Sequence, residues 1–159
     1  MPPQTAAPTI DPVRLLAQAY EKKTWHGPNL RQSLRGVSAR AAAWRPARSR
    51  HNIWELALHA AYWKYAARRH LLGEPRGSFD RKGSNWFEAP KKPTDAAWRE
   101  TIALLADEHR KFIAAVADSR NASAVQKQMG MVLGVAFHDV YHAGQIRLLR
   151  RMHDADASR

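Results

Sequence analysis

The sequence predicts an all-α protein, specifically a four-helix bundle, from the spacing and the boundaries of its apolar stripes. Three long stretches, near residues 52–73, 94–118 and 125–152, carry apolar residues at the three- and four-residue spacing of one helix face. Asn52 and Gly73 are typical start and end residues for the first of them. No stretch shows the sustained alternation of apolar and polar residues that is typical of a half-buried strand.

The part of the chain before residue 52 predicts the remaining, composite element of the bundle. Asp11 followed by Pro12 is typical of a helix start, because the acid caps free backbone N–H groups and proline fits the first turn. A break at residues 25–28 precedes a second helical piece at 29–35. Ser38 is suited to cap a short third turn.

Residues 74–93 form the one long connection, and glycine and proline occur throughout it. A connection of this length in a compact domain is usually either functional or disordered. Trp86 and Phe87 give the loop large apolar surfaces to bury. We therefore predict that the loop is ordered, with one of these two rings packed against the bundle near its open end.

Length and composition limit the class of protein. The chain has 159 residues, the size of one domain, and we expect residues 1–10 to be a flexible tail and residues 11–159 to be a single helical domain. No run of 18 apolar residues exists, and the N-terminus lacks the pattern of a secretory signal. Cysteine is absent, which excludes disulfides, thiolate nucleophiles and cysteine-bound metal. A cytoplasmic location is the default expectation.

The net charge of +12 raises nucleic acid or small anions as partners. No acidic residue occurs between Lys22 and Trp54, where eight basic ones do. A solvated basic face is the simpler interpretation. Nucleic acid is not favoured, because the aromatic residues lie mostly on helix stripes, where they serve packing rather than base stacking. The eight basic residues are Lys22, Lys23, Arg31, Arg35, Arg40, Arg45, Arg48 and Arg50.

The residues most suggestive of chemistry are His138 and His142, which lie four apart in the last predicted helix. Residues four apart lie on the same face, so both imidazoles can reach one metal ion. They interrupt an apolar stripe, and two buried imidazoles without partners would cost about 1–3 kcal/mol each. A metal ion or a hydrogen-bond network is the expected compensation. Asp139, one step round the helix, is expected to point elsewhere.

A third ligand is expected from a facing helix, and three histidines are candidates. His59 lies on the apolar stripe of the helix at 52–73, and His109 lies on that of the helix at 94–118. His26 lies beside a predicted break, at the rim of a pocket. The alternative is that all of these are core histidines without metal.

Glu55 precedes His59 by one helical turn and is the candidate catalytic residue, either as a base or as a hydrogen-bonding partner of a ligand. An exposed helix glutamate is the alternative. The pair at 138 and 142 has no glutamate in the position that a zinc protease uses as its base, so that class of enzyme is excluded.

Five segments carry a resemblance to a known family: WHGPNL at 25–30, IWELALH at 53–59, AYWK at 61–64, GSNWF at 83–87 and FHDVYHAGQI at 137–146. They resemble the DinB-like superfamily, which includes metal-dependent hydrolases of the YfiT type and thiol-dependent S-transferases. The resemblance extends over about residues 11–152.

The resemblance implies a DinB/YfiT-like four-helix bundle with a divalent metal ion, zinc or nickel, in its core. Its ligand set corresponds to His59, His138 and His142, which leaves His109 in the core or beside the ligands. It implies a small-molecule substrate, in transferases a low-molecular-weight thiol, and a homodimer. The activity would be that of a hydrolase or a thiol S-transferase. The alternative is a non-catalytic metal-binding stress-response module, or one that binds anions or nucleic acid.

Overall fold

The computed structural model describes residues 10–77 and 79–158, and all regular secondary structure within them is helical. The predicted all-α class is therefore confirmed. A one-turn 3-10 helix at Ser119–Asn121 follows the fifth of seven α-helices. These are α1 (Pro12–Tyr20), α2 (Leu30–Leu34), α3 (Ala39–Ala43), α4 (Ile53–Leu71), α5 (Asp95–Ala117), α6 (Ala122–Lys127) and α7 (Met129–Ala157).

The number of helices in the described residues is larger than the predicted four. The N-terminal composite element consists of three separate helices, α1 to α3. The last predicted helix is divided at Gln128, whose backbone leaves the helical conformation between α6 and α7. The predicted start near residue 125 lies within α6, and α7 continues past Met152 to Ala157.

Side-chain caps fix where the helices begin. Five residues each accept a hydrogen bond from the backbone N–H three positions on, which satisfies a donor that the first helical turn leaves free. These residues are Asp11, Asn29, Ser38, Asn52 and Thr94. Gly73 follows α4 with a φ of 65°, a left-handed conformation in which glycine ends helices without strain.

The helices α1, α4, α5 and α7 pack in a ring. The helix α4 contacts both α5 and α7. The helix α1 also contacts both α5 and α7, which closes the ring. The short helix α2 lies against α7, and α3 lies against α4 and α5. None of the helices in residues 10–77 and 79–158 has the length and apolar character needed to cross a membrane.

The loop between α4 and α5 packs against the bundle through Phe87. That ring is buried in the core cluster and contacts Tyr62 and Phe79, with ring centroids 5.5 and 5.2 Å apart. The predicted packing of the loop is thus confirmed. Ser78 in this loop, residues 1–9 of the predicted tail and Arg159 lie outside the described residues.

A layer of polar side chains lies inside the ring of four helices. Lys64 of α4 and Asp139 of α7 are fully buried and form an ion pair. The Tyr20 ring of α1 lies 5.3 Å from the Lys64 Nζ atom, and His109 of α5 stacks on that ring at 3.9 Å. Burial raises the pKa of the Asp139 carboxyl and lowers the pKa of the Lys64 amine. Each charge therefore depends on its partner.

We expect Asp139→Asn to lower the free energy of unfolding by about 3–5 kcal/mol, because it leaves the buried Lys64 amine without an anion. The double variant Lys64→Met with Asp139→Leu should recover most of this loss, since it removes both buried charges. Urea unfolding followed by circular dichroism measures the effect. Asp107→Asn, which removes the carboxylate of an exposed pair with Lys111, is the control and should be nearly neutral. Equal losses in Asp139→Asn and Asp107→Asn would contradict this account.

Candidate metal centre

The structure brings His59, His138 and His142 together at the contact between α4 and α7. The Nε2 atom of His138 lies 3.1 Å from Nε2 of His59 and 2.9 Å from Nε2 of His142. His59 and His142 are buried, and His138 is half-buried. The three rings offer one ligand atom each, all within 4.8 Å of one another.

Hydrogen bonds at the opposite ring nitrogens fix how two of these imidazoles face the centre. Nδ1 of His59 lies 2.8 Å from the backbone carbonyl oxygen of Asn85, which can only accept a hydrogen bond. Nδ1 of His142 lies 2.6 Å from Oε1 of Gln145, whose amide also donates to the Tyr141 hydroxyl. With the proton on Nδ1, each neutral ring directs the lone pair of Nε2 towards the centre.

The centre favours neutral imidazoles. Burial, reinforced by the neighbouring histidines and Lys64, lowers the pKa of His138 to about 3. Burial likewise lowers the pKa of His142 to about 4, and it lowers the pKa of His59. The neutral form is the one that binds metal ions. If only a proton lies between these nitrogens, His138 can donate its Nε2–H to just one of its two neighbours. The other neighbour then directs its Nε2 lone pair at a nitrogen about 3 Å away without a hydrogen bond between them.

The loop at residues 83–87 orients His59 from both its edge and its face. The Trp86 ring is stacked between His59, at 3.9 Å and 8° between planes, and His51, at 3.6 Å and 4°. Asn85 has a left-handed backbone, with φ 65°, and its side-chain oxygen accepts from the Trp63 indole at 3.0 Å. The sequence predicts only that Trp86 or Phe87 packs against the bundle, and it does not reveal that this loop holds a candidate ligand.

Glu55 is buried, so the alternative of an exposed helix glutamate is wrong. Both carboxylate oxygens accept from the Arg45 guanidinium, and Oε2 also lies 2.9 Å from Nδ1 of His51. Burial alone would raise the pKa of Glu55, but these hydrogen bonds lower it. Among the described residues, its side chain forms hydrogen bonds with Arg45 and His51. The His51 ring stacks on Trp86, which stacks on His59, so Glu55 contacts the candidate ligand only indirectly.

The other candidates lie away from the centre. His109 is buried against Tyr20, and neither ring nitrogen has a hydrogen-bond partner among the described residues. His26 is exposed in the connection between α1 and α2. Asp139 points away from the three histidines to Lys64, as the sequence predicts.

Two open cavities border two of the three histidines. His142 forms part of the wall of one cavity of about 660 Å³, and His138 forms part of the wall of another of about 480 Å³. The first lies towards residues 46–51, and the second lies between α4 and the beginning of α7. Both have the size of small-molecule sites.

Comparison with known families agrees with this arrangement. The family model described as the DinB superfamily matches residues 24–146, well over half of the chain and a segment that contains all three histidines. The chain belongs to the DinB superfamily. No curated protein and no solved structure gives a significant match. Membership in the DinB superfamily agrees with the helical fold, and Glu55, Asn85 and Trp86 lie within the matched segment.

We expect metal-free protein to lose stability as the pH falls from about 6.5 towards 3, with His109 contributing. Burial and the Lys64 charge lower the pKa of His109 to about 3, whereas an unfolded histidine titrates near 6.5. Between pH 6.5 and pH 3, His109 takes up a proton only in the unfolded state, so acid favours unfolding. In His109→Phe, the slope of unfolding free energy against pH should be smaller, by about 1.4 kcal/mol per pH unit near pH 4.5 and by about half of that at pH 6.5.

Urea titrations between pH 6.5 and 4.5, with a chelator present, measure these slopes. His70→Gln is the control, because that histidine is exposed on α4. It should leave the slope unchanged. Identical slopes for wild type and His109→Phe would show that His109 takes up its second ring proton as readily in the folded state as in the unfolded state.

Proposed function

We propose that this protein is a metal-dependent enzyme in which His59, His138 and His142 bind one divalent ion, zinc or nickel. The observation that carries the proposal is the convergence of three Nε2 atoms at 2.9 and 3.1 Å. The opposite nitrogens of two of the rings are committed to Asn85 and Gln145, as is typical of metal-binding histidines.

The donor set fits such an ion. Bonds of about 2.0–2.1 Å in a tetrahedral arrangement separate ligand nitrogens by about 3.3 Å, a few tenths of an ångström more than the separations in the structure. Three imidazoles with positions left open are typical of catalytic zinc sites, whereas structural sites close the fourth position with a protein ligand. When bound, the ion supplies Lewis acidity that favours the ionised form of water or of a thiol near neutral pH.

The surrounding residues supply orientation and space. The Asn85 carbonyl and the Gln145 amide hold the ring planes of His59 and His142, and Trp86 fixes the His59 ring from its face. For Glu55 we propose a positioning role through His51, because the Arg45 guanidinium occupies the carboxylate that a base would need free.

Between the two expected activities, the cavities favour a thiol S-transferase over a hydrolase. A hydrolase joins one organic substrate with water, whereas an S-transferase brings two organic molecules to one centre. Two separate cavities of about 660 and 480 Å³ border the cluster, one lined in part by His142 and the other in part by His138. They offer separate places for a low-molecular-weight thiol and for an electrophile.

His138→Ala should lose the bound metal, because it removes the ligand that lies between the other two. His109→Ala is the matched control and should keep a full equivalent, since its ring stacks on Tyr20 instead. Mass spectrometry of metals in protein purified without a nickel column, followed by zinc titration, measures both. Retention of metal in His138→Ala with loss in His109→Ala would mean that the ligand set is wrong. Wild-type protein that takes up neither zinc nor nickel would disprove the proposal.

Turnover by zinc- or nickel-loaded wild type tests the enzymatic claim. We expect conjugation of glutathione with 1-chloro-2,4-dinitrobenzene above the rate of the metal-free protein, and little hydrolysis of 4-nitrophenyl acetate. A chelator and His138→Ala should each abolish the rate, because both remove the Lewis acid. Ester hydrolysis without conjugation would indicate the hydrolase instead.

A non-catalytic module that binds anions or nucleic acid remains the alternative. Of the eight basic residues between Lys22 and Trp54, Arg31 pairs with Glu21 and Arg45 pairs with Glu55, which reduces the charge they offer to a polyanion. Absence of turnover, together with DNA binding that weakens steeply with salt, would favour this alternative.

A further inference from the structure

The cavity beside His142 combines an apolar wall with a basic rim. Leu148 and Met152 of α7 line it together with the rings of Tyr141 and Trp86. Tyr141, Leu148 and Met152 keep 63%, 59% and 42% of their surfaces exposed, so the wall is open to an apolar ligand. A cavity of about 660 Å³ suits a small molecule.

The rim is basic, because Arg50 is among the described residues that line this cavity and none of those residues is a carboxylate. Glu55 is occupied by Arg45 and His51. Arg50 lines this cavity and also an adjoining one of about 470 Å³, whose wall includes Arg48 and the carboxylates of Glu55 and Glu88. Within residues 10–77 and 79–158, the Arg50 guanidinium forms no ion pair. It is therefore available to an anionic ligand.

We propose that this cavity binds a small molecule with an apolar body and a carboxylate. The carboxylate pairs with the Arg50 guanidinium, whose planar fork matches two carboxylate oxygens. The apolar body lies on Tyr141, Leu148 and Met152, and its far end reaches His142. The proposal rests on the proposed function in taking this molecule as a substrate beside the metal centre. Binding itself needs only the cavity and Arg50.

Charge complementarity favours this occupant over a second copy of the chain. The chain carries a net charge of +12, and a partner copy would bring further positive charge to a rim that Arg48 and Arg50 already make basic. A second copy, in the homodimer that the resemblance implies, is therefore the competing occupant of this surface.

The experiment compares 4-phenylbutyrate with 4-phenylbutyramide, which share an apolar body and differ in the charge of the head group. Isothermal titration calorimetry on metal-free protein at pH 8, with a chelator, should show binding of the carboxylate about tenfold tighter than that of the amide. Arg50→Gln should remove this preference. Arg99→Gln loses the same charge outside the cavity and should retain it. Leu148→Ser should weaken both probes, because it removes apolar contact.

Equal affinities for the two probes, or an unchanged preference in Arg50→Gln, would overturn the proposal. So would a wild-type protein that is a dimer in light scattering and binds neither probe. That result would identify a second copy as the occupant. Because the calorimetry uses metal-free protein, its outcomes are independent of the zinc titration. A protein that binds zinc without preferring the carboxylate refutes this inference alone. A protein that prefers the carboxylate without binding zinc or nickel refutes the metal centre alone.

Discussion

The ion pair between Lys64 and Asp139 constrains how α4 and α7 meet, and the candidate centre depends on that contact. Two fully buried charges must face each other, since water cannot replace either partner. Asp139 directly follows His138, and Lys64 lies just over one turn beyond His59. The same two helices are thus joined twice, once by opposite charges and once by imidazoles. Turning α7 about its axis would break both contacts together.

The centre itself combines two kinds of structure. Two imidazoles lie on α7, where helical geometry alone places them one turn apart. The third, His59, depends on a loop for its orientation, because the Asn85 carbonyl and the Trp86 ring hold it from outside the helix. The support continues outward through His51 and Glu55 to Arg45. A buried ring whose Nε2 faces the other two histidines is therefore held at its Nδ1 and at its face.

Much of this follows from the sequence, and the exceptions have physical causes. Helix starts at Asp11, Asn52 and Thr94 follow from capping chemistry, and the apolar stripes bring the three histidines to the inside. The break at Gln128 has no proline beside it, and Gly130, two positions on, lies inside α7. Lysine is a residue type that is usually exposed. Lys64 is buried because it pairs with Asp139, which lies 75 residues later in the chain. The roles of Asn85 and Trp86 depend on loop geometry, which carries no periodic signal.

The separation of the three histidines along the chain has a consequence for folding. His59 and His138 are 79 residues apart, and the loop carbonyl that holds His59 lies 26 residues beyond it. Bringing such distant segments together requires loop closure that local helix formation does not provide. The cluster therefore forms only once α4, α7 and the connecting loop have docked. Any ion that binds all three rings selects the completed tertiary structure over every partly folded state, so assembly of the centre and completion of the fold are one thermodynamic event.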